Sequence, residues 1–152
     1  MIGNGLRALL ERPEQWRLLR AEPALIESAI EETMRFDTPL QFFERRVLAP
    51  MTYAGVEWPR GTRLALYYAS ANRDPEVFAA PETFDLRRDP NPHLAFGLGL
   101  HYCIGAPLAR LELQAALRVL VERLPELRLA GEPLSYQPKN VFRYLRALPV
   151  RY

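Results

Sequence analysis

The stretch HLAFGLGLHYCIGAPLARLE, His93 to Glu112, holds the only cysteine of the chain, Cys103. The cysteine stands among Gly97, Gly99 and Gly105, two residues after His101, and just ahead of a run with strong helical spacing. Glycines let a backbone turn sharply and approach a flat ligand closely. The start of a helix offers partial positive charge and free N–H groups, which favour a thiolate over a thiol. A thiolate so placed is able to ligate iron. Three other readings fit the same residues. The first is a buried, inert cysteine, the usual state of a lone one. The second is a catalytic thiol assisted by His101, which requires that histidine to fold back across one residue. The third is a zinc site from Cys103, His101 and His93, which falls short of the usual four ligands and matches no common spacing.

Working outward, Pro107 suits the first turn of a helix of about five turns, with Leu113, Leu117, Leu120, Val121 and Leu124 on one face. On the other side lies ANRDPEVFAAPETFDLRRDPNPHLAFG, residues 71–97, where Pro75, Pro81, Pro90 and Pro92 recur too often for a regular element. It reads as a long ordered coil. Residues 40–69 carry short runs rich in Val, Leu, Thr and Tyr, broken by turn signals such as Pro59-Arg60-Gly61. They read as a small antiparallel sheet, with TRLALYY, residues 62–68, as its best strand. The first quarter is helical. Ile2, Leu6, Leu9 and Leu10 open it, Pro13 starts a second helix with Trp16 and Leu19, and Pro23 starts a third with Leu25, Ile26, Ala29, Ile30 and Met34. Short strands are expected around Tyr136 and from Arg143 to Leu148.

The 152 residues are 49% hydrophobic and 25% charged, which is enough for one domain with a real core. Twenty Lys and Arg against 18 Asp and Glu leave a net charge of +2, and the basic residues are dispersed. No nucleic-acid or membrane footprint is present in that pattern. One cysteine forms no internal disulfide, no signal-like segment opens the chain and no apolar run approaches a membrane span. The expected setting is a reducing cytoplasm.

Phe96, Gly99, Cys103 and Gly105 together spell F-x-x-G-x-x-x-C-x-G, and with that motif the chain resembles the cytochrome P450 superfamily at its heme-binding signature. A second motif agrees, for Glu32 and Arg35 in EETMRFDTP match the E-x-x-R of that family's K helix. Alone, such an i,i+3 pair carries little information, because surface pairs of this kind are common and worth about 0.2–0.5 kcal/mol. Residues 71–90 resemble the family's meander and PLARLE the start of its L helix. The resemblance spans essentially the whole chain and has the style of bacterial members. It implies a mixed α and β fold, mainly α: the C-terminal part of the cytochrome P450 fold, with K and L helices, meander, Cys loop and a small antiparallel sheet.

The resemblance also implies roles. Cys103 is the axial thiolate and catalytic ligand of heme b (iron protoporphyrin IX), donating electron density that favours O–O cleavage. Gly97, Gly99 and Gly105 belong to the loop, the last two giving it its turns, and Phe96 packs beside the sulfur, with an ordinary core phenylalanine as the alternative. His101 and Arg45 match positions that bind heme propionates, and His93 is expected near them. Glu32, Arg35 and Arg88 form a buried structural triad, with Arg87 as the competitor for Arg88. Leu40, Gln41 and Phe42, and Asn140, Val141 and Phe142, match segments that line the substrate pocket, and their apolar members imply an apolar small molecule.

By the same resemblance, the chain begins where a family member leaves its I helix, so residues 1–152 are expected to form a single partial domain. It reads as a fragment, a truncated reading frame or one half of a split enzyme, with the missing N-terminal half among its expected partners. Three function classes follow. One is a heme-thiolate monooxygenase that inserts one atom of O2 and takes electrons from a ferredoxin or flavoprotein reductase. Another is a heme-binding or partner-dependent remnant without turnover. The third is a cysteine enzyme or structural protein that binds no heme.

Overall fold

The structure is a computed structural model that describes residues 1–138 and 141–152. Three helices open it: α1 (Ile2–Leu10), α2 (Pro13–Ala21) and α3 (Ile26–Phe36). Pro13 occupies the first turn of α2, where its missing N–H costs nothing. Pro23 does not open α3 as the sequence predicts. It heads a separate 3-10 turn, Pro23–Leu25, and α3 begins at Ile26. The apolar positions of the three helices meet in one core, where Leu9, Leu19, Ala29 and Ile30 are almost wholly buried. Burying each large aliphatic side chain contributes about 1.5–3 kcal/mol. The close approach of α1 to α3 depends on Gly5, because a Cβ there would lie 2.6 Å from Thr33 Cγ2.

After α3 the chain pairs in short antiparallel ladders. β1 (Phe43–Arg46) runs against β4 (Arg63–Leu66), with Phe43 opposite Leu66 and Arg46 opposite Arg63. Between them, β2 (Met51–Tyr53) and β3 (Val56–Trp58) form their own hairpin around Ala54 and Gly55, both at positive φ. Residues 40–69 are thus two two-stranded ladders and not one sheet. Beyond β1, Val47 still pairs with Thr62 and Gly61; Pro50, which has no N–H to donate, precedes the second ladder. The expected strand at residues 62–68 ends at Leu66, and Tyr68–Ala71 turns into a one-turn helix, α4.

The long α5 (Ala106–Arg123) closes the core from the other side. Leu113 and Leu117 are buried in it, while Leu120, Val121 and Leu124 pack against it in part. At the end of the chain the pairing is sparser than the sequence predicts. Single bridges join Tyr136 to Leu145 and Leu40 to Phe142, and the only strands there among the described residues are β5 (Arg128–Leu129) and β6 (Val150–Arg151).

The coil between α4 and the Cys loop has no ladder of its own, so its backbone groups must be satisfied elsewhere. Arg35, wholly buried in α3, does much of this. Its Nη1 donates to the carbonyls of Asn72 (2.9 Å) and Pro81 (2.8 Å), and its Nη2 to that of Thr83 (2.9 Å). The remaining donors of the guanidinium meet Glu32 in a fork, Nε at 2.7 Å and Nη2 at 2.7 Å. All five N–H donors of the side chain are therefore used. Glu32 also accepts from Asp85 N–H (2.9 Å), Asn91 Nδ2 (3.2 Å) and Arg88 Nε (3.1 Å). Arg88 in turn reaches the carbonyls of Ala79 and Ala80. Arg87 points away and pairs with Glu22 in an exposed position. Phe78, Phe84 and Leu86 pin the coil into the core as apolar anchors.

Arg35→Ala leaves Glu32 buried with only part of its countercharge, a loss of about 3–5 kcal/mol for a buried pair. The exposed pair Arg20–Glu126, 3.5 Å apart, supplies the control. Arg35→Ala is expected to lower the melting temperature far more than Arg20→Ala; equal melting temperatures would make Arg35 no more than a surface partner.

Candidate cofactor and substrate site

Cys103 is exposed, and its backbone is held from both sides. Its N–H donates to the Phe96 carbonyl at 2.9 Å, and its carbonyl accepts from Ala106 N–H at 3.1 Å, which ties it to the first residue of α5. The loop between Phe96 and Cys103 turns through Gly97 (φ +73) and Gly99 (φ +70), a left-handed backbone that side chains rarely adopt. Gly105 differs from expectation. Its φ is −83, so no turn demands a glycine there, and a Cβ would sit 3.8 Å from Cys103 Sγ, an ordinary contact distance.

The Cys103 side chain faces a cavity of about 390 Å³, within the range of small-molecule sites. Phe96, Gly97 and His101 line it from the loop, Arg45 and Phe43 from β1, and Tyr68 from α4. Leu40 and Phe142, joined by their bridge, form the opposite wall. Sequence reading places Leu40, Phe96, Gly97, His101, Arg45, Cys103 and Phe142 at this site, and the fold brings them together. It misses Phe43 and Tyr68, whose only local signal is aromatic character, Phe43 at the start of β1 and Tyr68 at the start of α4.

Other expected residues lie elsewhere. Gln41 donates through Nε2 to the Thr38 carbonyl (2.6 Å), and its N–H goes to the Val141 carbonyl (2.8 Å), so Gln41 and Val141 hold the wall together without lining it. Phe42 stacks on Tyr67, ring centroids 5.2 Å apart, outside the cavity lining. Asn140 lies outside the described residues. His93 is the clearest correction. Its side chain is only 4% exposed, Nδ1 accepts from Ala95 N–H (3.2 Å), and Nε2 meets Glu31 Oε2 (3.0 Å). With both nitrogens used within the protein, His93 has none for the cavity, and the Cys103–His101–His93 zinc set is not assembled.

Behind the loop lies an ionic cluster without any sequence motif. Arg110 of α5 donates from Nε to Glu31 Oε1 (2.7 Å) and from Nη2 to Glu31 Oε2 (2.8 Å), bridging α5 to α3. Burial alone would raise the Glu31 carboxyl, but hydrogen bonds and charge from Arg110 and His93 outweigh it and lower its pKa to about 2. Arg110 is raised correspondingly by its bond to Glu31, against partial desolvation. On the far side of the wall, Asp37 is held by Arg7 (2.8 Å) and by Arg143, so the segment carrying Phe142 is pinned to the end of α3.

A soft sulfur, apolar walls and two side chains able to bind carboxylates, Arg45 and His101, share one cavity. That donor set fits a flat, iron-bearing, largely apolar macrocycle with acidic arms. The cytochrome P450 family profile matches residues 13–133. A biotin biosynthesis cytochrome P450 of Bacillus subtilis is 43% identical over all of this chain and 38% of its own length. The cytochrome P450 monooxygenase PikC of Streptomyces venezuelae is 44% identical over all of this chain and 37% of its own length. In three dimensions the chain resembles P450BioI in its crystal structure with hexadec-9Z-enoic acid ligated acyl carrier protein, with a TM-score of 0.97 and 43% identity. That match covers 99% of this chain and 39% of the other. The chain belongs to the cytochrome P450 family, and its fold is that of the matching part of such proteins. It spans less than two fifths of the length of these curated relatives.

Because the folded pKa of Glu31 lies below its ordinary 4.5, the stability it contributes is fully present above that value and is lost as pH falls toward 2. The wild-type protein is expected to melt above Glu31→Gln at about pH 5, with the margin shrinking as pH falls from there toward 2. A margin unchanged down to pH 2.5 would show that Glu31 ionisation contributes nothing to the fold.

Proposed function

We propose that this chain is a heme-thiolate protein of the monooxygenase type, in which Cys103 ligates the iron of heme b. The observation that carries the reading is the exposed Cys103 side chain, backed by the start of α5, in an apolar cavity shared with Arg45 and His101. When bound, the heme supplies the redox iron at which one atom of O2 is inserted into a substrate, with electrons from a ferredoxin or flavoprotein reductase.

This chain's own residues have definable parts. Arg45 offers a guanidinium fork and His101 a ring N–H to acidic arms at the cavity edge. Phe96 lines the same cavity, and its carbonyl receives the Cys103 N–H, which fixes the backbone that carries the sulfur. Leu40, Phe43 and Phe142 give the walls an apolar surface, which selects an apolar small molecule and excludes water from the reaction. The relatives support that substrate class, for one structural neighbour carries a fatty acyl carrier protein and other relatives are named steroid C26-monooxygenases. Which apolar molecule this chain takes is left to the same walls.

Heme loading tests the reading. Reduced and exposed to carbon monoxide, the loaded protein is expected to show the strongly red-shifted Soret band of a thiolate ligand, and Cys103→Ser to abolish it. Identical spectra from the two proteins would remove Cys103 as the ligand. A second reading, heme binding without turnover, is favoured by the full exposure of Leu100 and Ile104 on either side of Cys103. Supplying electrons from a surrogate redox system separates the two: product formed in step with reductant supports the monooxygenase, reductant consumed without product the second reading.

A further inference from the structure

The residues that fix Cys103 are not all in the Cys loop. Arg110 is seven positions beyond Cys103 in sequence, and its guanidinium sits 4.6 Å from the centroid of the Phe96 ring. Its Nη1 donates to the Tyr102 hydroxyl at 3.1 Å, while Nε and Nη2 form the fork on Glu31. Phe96 is the residue whose carbonyl receives the Cys103 N–H, and Tyr102 is the residue just before Cys103. His93 completes the enclosure, bonded to the same Glu31 and with its ring 6.1 Å from that of Phe96.

We propose that Arg110 is a positioning residue for Cys103: anchored on Glu31 of α3, it holds Phe96 by its ring face and Tyr102 by its hydroxyl. The two loop residues that control the cysteine backbone are thereby fixed to a rigid helix. The physical need is plain. Cys103 is exposed and its loop turns through two left-handed glycines, so few contacts of its own restrict it. A planar guanidinium offers a face to an aromatic ring and, at the same time, edge donors to a carboxylate and a phenol. Lysine, a single point charge on a flexible stem, does not reproduce that three-way hold. The significance of the inference rests on Cys103 being the heme ligand, but the hold itself is a property of the chain without cofactor.

The test therefore begins on cofactor-free protein. Hydrogen exchange is followed in peptides covering residues 96–105 and in peptides of α3, together with the rate at which iodoacetamide alkylates Cys103 at one fixed pH. The proteins are wild type, Arg110→Ala, Arg110→Lys, Tyr102→Phe and Arg118→Ala, an exposed control on the same helix. Loss of the hold is expected to speed exchange in residues 96–105 by about fivefold or more and to speed alkylation with it, leaving α3 unchanged. Arg110→Lys is expected to behave like the alanine variant, Tyr102→Phe to fall between it and wild type, and Arg118→Ala to match wild type.

Unchanged loop exchange and alkylation in Arg110→Ala would overturn the proposal. So would full rescue by lysine, or acceleration spread evenly over the protein, since either makes Arg110 a general ion-pair partner. If the alanine variant does not fold, the lysine variant decides on the same readouts. Heme-loaded wild type and Arg110→Lys are then compared after reduction and carbon monoxide, where a smaller share of the thiolate band is expected in the variant. Wild type that fails to give this band at all strikes at the ligand role of Cys103 and leaves the exchange comparison standing.

Discussion

A single buried side chain, Arg35, makes the coil of residues 72–91 possible. A coil of this length exposes many backbone carbonyls that no strand or helix will satisfy, and burying them unpaired would be costly. Arg35 gathers three of them, from Asn72, Pro81 and Thr83, and its own charge is answered by Glu32 one helical turn earlier. The pair is thus less a bond between two residues than a connector between α3 and the coil. Everything after it in space depends on this. The coil leads into the Cys loop, and Asn72, fixed by Arg35 through its carbonyl, accepts through its side chain from Leu94 N–H just two residues before Phe96.

The cavity shows how short elements build a site when long ones hold them. None of its walls is a long helix. One wall comes from β1, one from the loop before α5, and one from a single bridge between Leu40 and Phe142. Two of them are moored to α3: the Cys loop side through Arg110 on Glu31 and Asn91 on Glu32, and the C-terminal segment through Asp37 at its end. Glu31 and Glu32 sit side by side in α3 and Asp37 just past its end, and arginines from four distant parts of the chain, Arg7, Arg88, Arg110 and Arg143, answer them. Electrostatics do the joining here, while the apolar face of the same helix makes the core.

This division explains what could be read from the sequence. The helices announce themselves because core positions repeat with the helical period, as in Leu6, Leu9 and Leu10 or Leu113 and Leu117, and because Pro13 and Pro107 mark first turns. Glu32, Arg35 and the Cys loop are legible because their neighbours in sequence are their neighbours in space. Glu31 is adjacent to Glu32, yet its role was invisible, since its partner Arg110 lies 79 residues away and a charge on a helix surface carries no sign of whom it will meet. The same blindness misplaced His93, which reads as a donor near the cavity until Glu31 and the Ala95 amide claim both its nitrogens. Gly105 erred in the other direction, its place in a motif standing in for a backbone need that its φ does not show. Phe42 and Phe43 could not be told apart, because between the Leu40 bridge and β1 the alternation of faces is broken.

The pairing of the last segment with the middle of the chain has a temporal side. Asn4 donates to the Arg143 carbonyl across 139 positions, and Leu40 waits for Phe142 across 102. Contacts of such separation carry the largest closure entropy and form late. On a ribosome, α1 to α3 emerge before the rest of this stretch and can pack among themselves, while the cavity stays open on one side until the segment carrying Phe142 has left the exit tunnel. During that interval Leu40 is without its bridge partner. The site is thus completed only after synthesis of the wall that carries Phe142, so a cofactor that needs both walls meets the two ends of this stretch already brought together.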